Sequence, residues 1–283
     1  MSNTDPKTLT LTLEDGTQLT GKSFGAHTDA AGEVVFNTGM VGYPESFSDP
    51  SYTGQILVLT YPLIGNYGVP SDETDNHKIE RFFESHNGIT ITGVVVSEYS
   101  NTHNHWQAVK SLGEWLKKNN IPGISGIDTR ALTQKIRTKG ALLGTITKDP
   151  KTKMEFYDPN KENLVAKVSV DKPITYKGPK GSKHIALVDC GMKLNILRSF
   201  LNRGITVTRM PWNYNFWEEM TNTKFDGVFF SNGPGDPAVV TETIEIMKEG
   251  FKRNVPTFGI CLGSQIMGIA AGGTTYKLKF GHR

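Results

Sequence analysis

Gly259-Ile260-Cys261-Leu262-Gly263-Ser264-Gln265 is the stretch whose reading decides the fold. A short apolar run, residues 257–260, leads into it, and Ile266, Met267 and Ile269 follow at helical spacing. G-x-C-x-G at a strand-to-helix turn is the nucleophile-elbow arrangement with cysteine in the place of serine. The two glycines are predicted to be there because so sharp a turn leaves no room for a Cβ on either side. A thiol at the N-terminus of a helix faces unpaired N–H groups and the positive end of the dipole, which suits a nucleophile. The N–H of Leu262, next along the turn, is placed to donate to an oxyanion. The bland alternative is a buried structural cysteine closing a strand.

Upstream of this turn the chain alternates between strand and helix patterns. Residues 185–189 are a short apolar strand, after which Leu194, Leu197, Phe200 and Leu201 share one helical face that Gly204 stops. Residues 205–210, 227–230 and 257–260 are the next strands, and Val239, Ile244, Ile246 and Met247 fit a helix between the last two. Such βαβα units predict a doubly wound parallel sheet over 183–283, with helices on both faces and ligands at the carboxyl ends of the strands. The third strand ends in Ser231-Asn232-Gly233-Pro234-Gly235-Asp236-Pro237, a rigid loop with bare amides suited to an oxyanion hole or a small polar substrate. Its other reading is a tight βα turn with Asp236 as N-cap and Pro237 at the first helical position; both can hold together.

Residues 147–182, rich in Lys, Asp, Pro and Gly, read as a linker with one strand at 164–170. Residues 1–146 read as a mixed α/β domain rich in strands. Residues 9–13 alternate apolar and polar before the turn Glu14-Asp15-Gly16, and 34–36 and 56–59 are further strands. Helical spacing of Val109, Leu112, Trp115 and Leu116 predicts a helix between Trp106 and Asn119, and a second runs from Asp128 as N-cap to a stop at Gly140.

Composition narrows the class. With 31 Lys+Arg against 28 Asp+Glu the net charge is +3, which gives no reason to expect nucleic acid or an anionic membrane as partner. The Lys-rich 147–182 segment lacks the aromatic interleaving of a nucleic-acid binder. Cys190 and Cys261 lie far apart, which excludes a disulfide framework and fits a reducing, cytoplasmic location. The densest apolar run, residues 55–64, falls well short of the ~20 residues of a membrane span, and the first six residues carry neither a signal core nor an Arg-rich presequence. His103-Asn104-His105 has no third ligand at a telling distance and reads as a structural loop; Cys190 reads as structural, and no metal site is expected.

The pair SNGPGDP and GICLGSQ resembles the class I (triad) glutamine amidotransferases. The stretches FNTGMVGYPE from Phe36, DPSY from Asp49, LTYPLIGN from Leu59 and GIDTRALT from Gly126 narrow the resemblance to the small subunit of carbamoyl-phosphate synthetase. Their wording is closest to the glutaminase region of the eukaryotic multifunctional pyrimidine enzymes. The resemblance runs from Leu9 to Arg283 and implies a flavodoxin-like amidotransferase fold in the second half. It implies that Cys261 attacks the side-chain amide of glutamine, forming a γ-glutamyl thioester and releasing ammonia, with the amides of Gly233 and Leu262 holding the oxyanion. Ser51, reaching across from the first domain, with Gly233, Gly235, Leu262 and Gln265, is implied to bind glutamine. Ammonia then passes to a synthetase large subunit or fused synthetase domain for carbamoyl phosphate, used for pyrimidine or arginine synthesis. ATP and magnesium belong to that partner, since no P-loop pattern occurs here.

The family's cysteine works with a histidine oriented by a glutamate in a later H-P-E motif, and none occurs here. Of His27, His77, His86, His103, His105, His184 and His282, only His282 follows Cys261, at what reads as the end of a strand, and it resembles a variable family position. The expectation is a C-terminally truncated fragment with a sheet edge uncovered and little glutaminase activity, since the leaving nitrogen lacks its proton donor. The competing expectation is a non-catalytic paralogue that docks on the synthetase. An unrelated G-x-C-x-G hydrolase would lack the SNGPGDP loop.

Overall fold

Leu9, Leu11 and Leu13 are fully buried while the turn after them, with Gly16 at φ +84°, reverses the chain, so the predicted hairpin forms from β1 (Thr8–Leu13) and β2 (Gln18–Ser23). The computed structural model describes residues 7–281. Next come β3 (Ala30–Asn37), α1 (Tyr43–Ser48), β4 (Gln55–Leu59), β5 (Leu63–Ile64), β6 (Gly93–Val95), β7 (Glu98–Tyr99), α2 (Leu112–Lys118), β8 (Gly123–Ser125), α3 (Thr129–Lys139) and β9 (Leu142–Thr147). Seven of these strands close into a barrel in the order β1-β2-β8-β6-β4-β3-β9, a closure that leaves no exposed edge. Side chains alternate as strand geometry requires. Ile56 and Val58 join Leu9, Leu11, Leu13 and the α3 residues Leu132 and Ile136 in one core; Leu57 and Leu59 join Phe47, Leu112, Trp115 and Leu116 in another. Helix α3 begins on the Asp128 cap, whose carboxylate accepts the Ala131 N–H at 2.9 Å, and ends at Gly140, as expected.

The remaining elements are α4 (Val165–Val168), β10 (Ile174–Tyr176), β11 (His184–Asp189), α5 (Leu194–Leu201), β12 (Thr206–Pro211), α6 (Phe216–Glu219), β13 (Gly227–Phe230), α7 (Thr241–Lys252), β14 (Thr257–Gly259) and α8 (Leu262–Ala270). They build a sheet in the order β10-β12-β11-β13-β14. The four strands of β12-β11-β13-β14 are parallel. Val228 and Phe230 face α7 and α8, with Ile244, Met247, Leu262 and Ile266; Phe229 and Leu187 face α5, with Leu194, Leu197 and Leu201. Helices therefore cover both faces. The strand order reverses at β11, so its carboxyl end and that of β13 flank the crevice where such sheets bind ligands.

The structure corrects several sequence expectations. Residues 164–170 hold the short helix α4, not a strand, and it is anchored: Leu164, Val165, Val168 and Val170 are all buried. The linker does supply a strand elsewhere, β10, which adds antiparallel to β12 and makes a sheet of five strands instead of four. Helix α2 starts at Leu112, behind a capping box between Ser111 and Glu114. Trp106 and Val109 lie outside it and are exposed, so their spacing was accidental. Val239 sits in a short 3-10 turn before α7, the turn that Asp236 caps through the Ala238 N–H. Residues 274–281 form no strand; the segment lies along the barrel, where the Lys279 carbonyl accepts the Ala141 N–H at 2.7 Å and Phe280 meets Phe36. His282 lies outside the described residues. On the far side of the sheet, β14 pairs with β13 alone among the described residues, and Phe258 on it is 63% exposed. No helix among the described residues is long and apolar enough to cross a membrane.

Candidate active site

Cys261 has φ +50° and ψ −110°, a region that residues with a Cβ avoid, and it stands as N-cap of α8 with an exposed side chain. Holding a residue there costs about 1–3 kcal/mol, so its surroundings must impose it. They do so through the flanking glycines. A Cβ on Gly259 would lie 2.4 Å from the Gly263 carbonyl carbon, and one on Gly263 would lie 2.3 Å from the Phe230 oxygen. Neither glycine has a positive φ. The requirement is close backbone approach, which lets the Gly263 N–H reach both the Ile260 and Ser231 carbonyls, at 2.9 and 3.1 Å. Helix α8 is thus seated on the end of β13, and the cysteine is pushed out at the bend.

Leu262 is the first residue of α8, so its N–H has no partner within the helix, and no acceptor among the described residues takes it or the N–H of Gly233. The two loops touch: a Cβ on Gly233 would lie 2.8 Å from Leu262 Cδ2 and 1.9 Å from the Cys190 oxygen. Gly235, at φ +82°, is exposed above Leu164, and Gln265 is exposed one helical turn after Cys261. Ser51 does cross from the barrel. Asn232 Nδ2 donates to Ser51 Oγ at 3.0 Å and to the Gly191 carbonyl at 3.1 Å. The ends of β11, β13 and β14 and the barrel turn at 49–51 therefore meet around one crevice.

Sequence reasoning gave no role to several residues that build this meeting. Asn232, 4% exposed, also accepts the Lys193 N–H at 3.0 Å, and Lys193 Nζ pairs with Asp49 at 2.8 Å. Asp49 accepts the Ser51 N–H, an Asp-Pro-Ser turn whose start signal was readable in the chain. Asp189 at the end of β11 accepts the N–H groups of Gly191 and Met192 and pairs with Arg209 at 2.7 Å, both side chains buried. Among the described residues no hydrogen bond reaches the Cys261 thiol, and no group of three or more His, Cys, Asp or Glu could hold a metal ion. His105 packs against Tyr67 and Trp106. A cavity of about 530 Å³ between α6 and α7, lined by Trp217, Glu242 and Glu249 among others, includes none of the crevice residues.

The second cysteine differs in every respect. Cys190 is completely buried beside Ala186, Val188 and Phe230, and burial pushes its thiol well above the ordinary range. Iodoacetamide at pH 8 is therefore expected to carbamidomethylate Cys261 alone in the folded chain and both cysteines in urea. Peptide mass mapping checks this, and modification of Cys190 before unfolding would contradict its burial.

Residues 11–146 match the family described as carbamoyl-phosphate synthase small chain, CPSase domain, and residues 186–283 match glutamine amidotransferase class-I. The chain is 50% identical over 278 residues to the multifunctional protein CAD of Squalus acanthias, covering 97% of this chain and 12% of that protein. It is 45% identical to the multifunctional protein URA2 of Saccharomyces cerevisiae, covering 100% of this chain and 14% of that one. It is 47% identical to the carbamoyl phosphate synthase arginine-specific small chain of Neurospora crassa, covering 97% and 61%. The chain thus spans a small part of the multifunctional relatives and less than two thirds of the small chain.

Proposed function

The chain belongs to the carbamoyl-phosphate synthase small chains through residues 11–146 and to the class I glutamine amidotransferases through residues 186–283, and from that premise we propose that it is the glutamine-binding, ammonia-releasing part of such a synthase. Cys261 Sγ, as thiolate, adds to the side-chain carbonyl carbon of glutamine. The negative charge then gathers on the amide oxygen, opposite the N–H groups of Gly233 and Leu262. Collapse breaks the carbon–nitrogen bond, ammonia leaves with an added proton, and the γ-glutamyl thioester is hydrolysed by water to glutamate and free thiol. Ser51, Gly235 and Gln265 hold the amino-acid end.

The proton for the leaving nitrogen needs an acid within reach. No described residue bonds to the thiol, so addition of the sulfur to the carbonyl carbon is the step this part of the site supports best, and collapse to the thioester is slower by about 10²–10⁴-fold without that group. Ammonia goes to a synthetase subunit or fused synthetase domain, which uses ATP and magnesium to make carbamoyl phosphate for pyrimidine or arginine synthesis, in the cytoplasm.

The observation that carries this reading is the exposed, backbone-strained Cys261 beside two unpaired N–H groups and the Ser51 bridge. A chloroketone analogue of glutamine tests it. Labelling of Cys261 is expected to saturate with reagent concentration and to be slowed by L-glutamine but not by D-glutamine. A folded chain whose cysteine reacts without saturation or protection would instead support the docking-only paralogue.

A further inference from the structure

Helix α5 begins without a cap of its own: Lys193, its N-cap residue, makes no side-chain bond to the helix. The missing acceptors come from other parts of the fold. Asn232 Oδ1 takes the Lys193 N–H, and the barrel's Glu84 takes the next two, its carbonyl accepting from Leu194 at 3.0 Å and its carboxylate from Asn195 at 2.9 Å. The second carboxylate oxygen accepts from Arg198 Nη2 at 3.1 Å, one turn further along the same helix. Both side chains of that pair are largely buried, at 13% and 14% exposure. Arg198 Nη1 also donates to the carbonyls of Glu80 and Phe83, so the 80–84 segment is held at several points.

Glu84 is tied in turn to the other side of the crevice. Its N–H donates to Ser48 Oγ at 3.0 Å, at the last residue of α1. Asp49 follows directly, holding Ser51 through one oxygen and Lys193 through the other. A closed ring of contacts therefore runs from Glu84 through residues 48–51 to Lys193 and back along α5. Burial raises the Glu84 carboxyl above the usual range, and the Asn195 N–H and Arg198 oppose that rise.

We propose that Glu84 is a positioning residue: by capping α5 from the barrel it fixes Lys193 and Asn232, and through them Asp49 and Ser51, so that Ser51 is held where it binds the amino-acid end of glutamine. The proposal rests on the amidotransferase reading above. It places the effect on substrate affinity and not on the reactivity of the thiol, because among the described residues no hydrogen bond joins the ring to Cys261. Loss of an N-cap carboxylate weakens a helix start by an amount equivalent to about five- to tenfold in an equilibrium.

The full chain carrying Glu84→Ala or Glu84→Gln is labelled at Cys261 with the glutamine chloroketone over a concentration series, and in parallel with iodoacetamide. Glu84→Ala is expected to raise the half-saturating concentration about five- to tenfold, with the limiting rate and the iodoacetamide rate within about twofold of wild type. Glu84→Gln, whose amide oxygen can still accept from Asn195, is expected to recover part of the loss, and it keeps the side-chain volume if the alanine variant does not fold. An unchanged half-saturation in folded Glu84→Gln and Glu84→Ala, or a loss confined to the limiting rate, overturns the proposal while the amidotransferase reading stands. Wild-type labelling that never saturates overturns both.

Discussion

Asp189→Ala is expected to lower the unfolding free energy by about 3–5 kcal/mol, read as a lower urea midpoint. Asp189 is completely buried at the end of β11, and it receives five donors: Arg209 Nε at 2.9 Å and Nη2 at 2.7 Å, and the N–H groups of Val170, Gly191 and Met192. Removing the carboxylate strands a guanidinium that is only 4% exposed on its side chain, together with three buried amides. Arg209 lies on β12 and Val170 in the linker, so the loss spreads from the 190–192 turn into the sheet and the segment before β10. The double variant Asp189→Leu with Arg209→Met is expected to recover only the part of the loss due to the stranded guanidinium, because the N–H groups of Val170, Gly191 and Met192 still lack their acceptor. A loss below about 1 kcal/mol in the single variant would show that water or another donor replaces the pair.

This pair also shows where sequence reading stops. Asp189 and Arg209 are twenty residues apart on neighbouring parallel strands, and nothing local marks either as a partner. By contrast, the Cys261 elbow was legible because its requirement is local: two glycines must flank a residue that the chain forces outward at the junction of strand and helix. The same holds for α3, framed by Asp128 and Gly140. The short apolar runs of β11 and β13, alternating along the chain with the helical stripes of α5 and α7, are enough to read a parallel sheet with helices on both faces.

Edges and long-range caps were not legible. β10 is three residues of partly exposed Ile-Thr-Tyr, too short to carry a period, and it forms because β12 offers a free edge. α4 has an apolar run that serves a strand or a helix equally, and Asn163 accepting the Ala166 N–H helps decide for helix. For α2 the deciding signal was present: Ser111-x-x-Glu114 marks the start, and it outweighs the spacing of Val109. The ring through Glu84, Asp49, Lys193 and Asn232 joins four distant segments, which only the folded chain brings together.

Gly263→Ala should abolish saturable labelling of Cys261, reducing it by about 10²-fold or more, with a smaller loss of global stability of about 1–3 kcal/mol. The new methyl would sit 2.3 Å from the Phe230 oxygen and 2.8 Å from its carbonyl carbon, both backbone atoms of β13 that cannot rotate aside. Relief requires α8 to rise off the sheet, which stretches the Gly263 N–H bonds to Ser231 and Ile260 and lets Cys261 relax from its positive φ. Relaxation carries Sγ and the Leu262 N–H away from Gly233 together, so the sulfur and its oxyanion donors lose register at one stroke. Gly268→Ala in the same helix is the control, since an added Cβ there meets nothing within 4 Å; it should label as wild type and gain slightly in helix propensity, by a few tenths of a kcal/mol to about 1 kcal/mol. Equal labelling of the two variants would show that the bend at Cys261 does not depend on the close seat of α8 on β13, and that the strained cysteine is held by something other than its glycines.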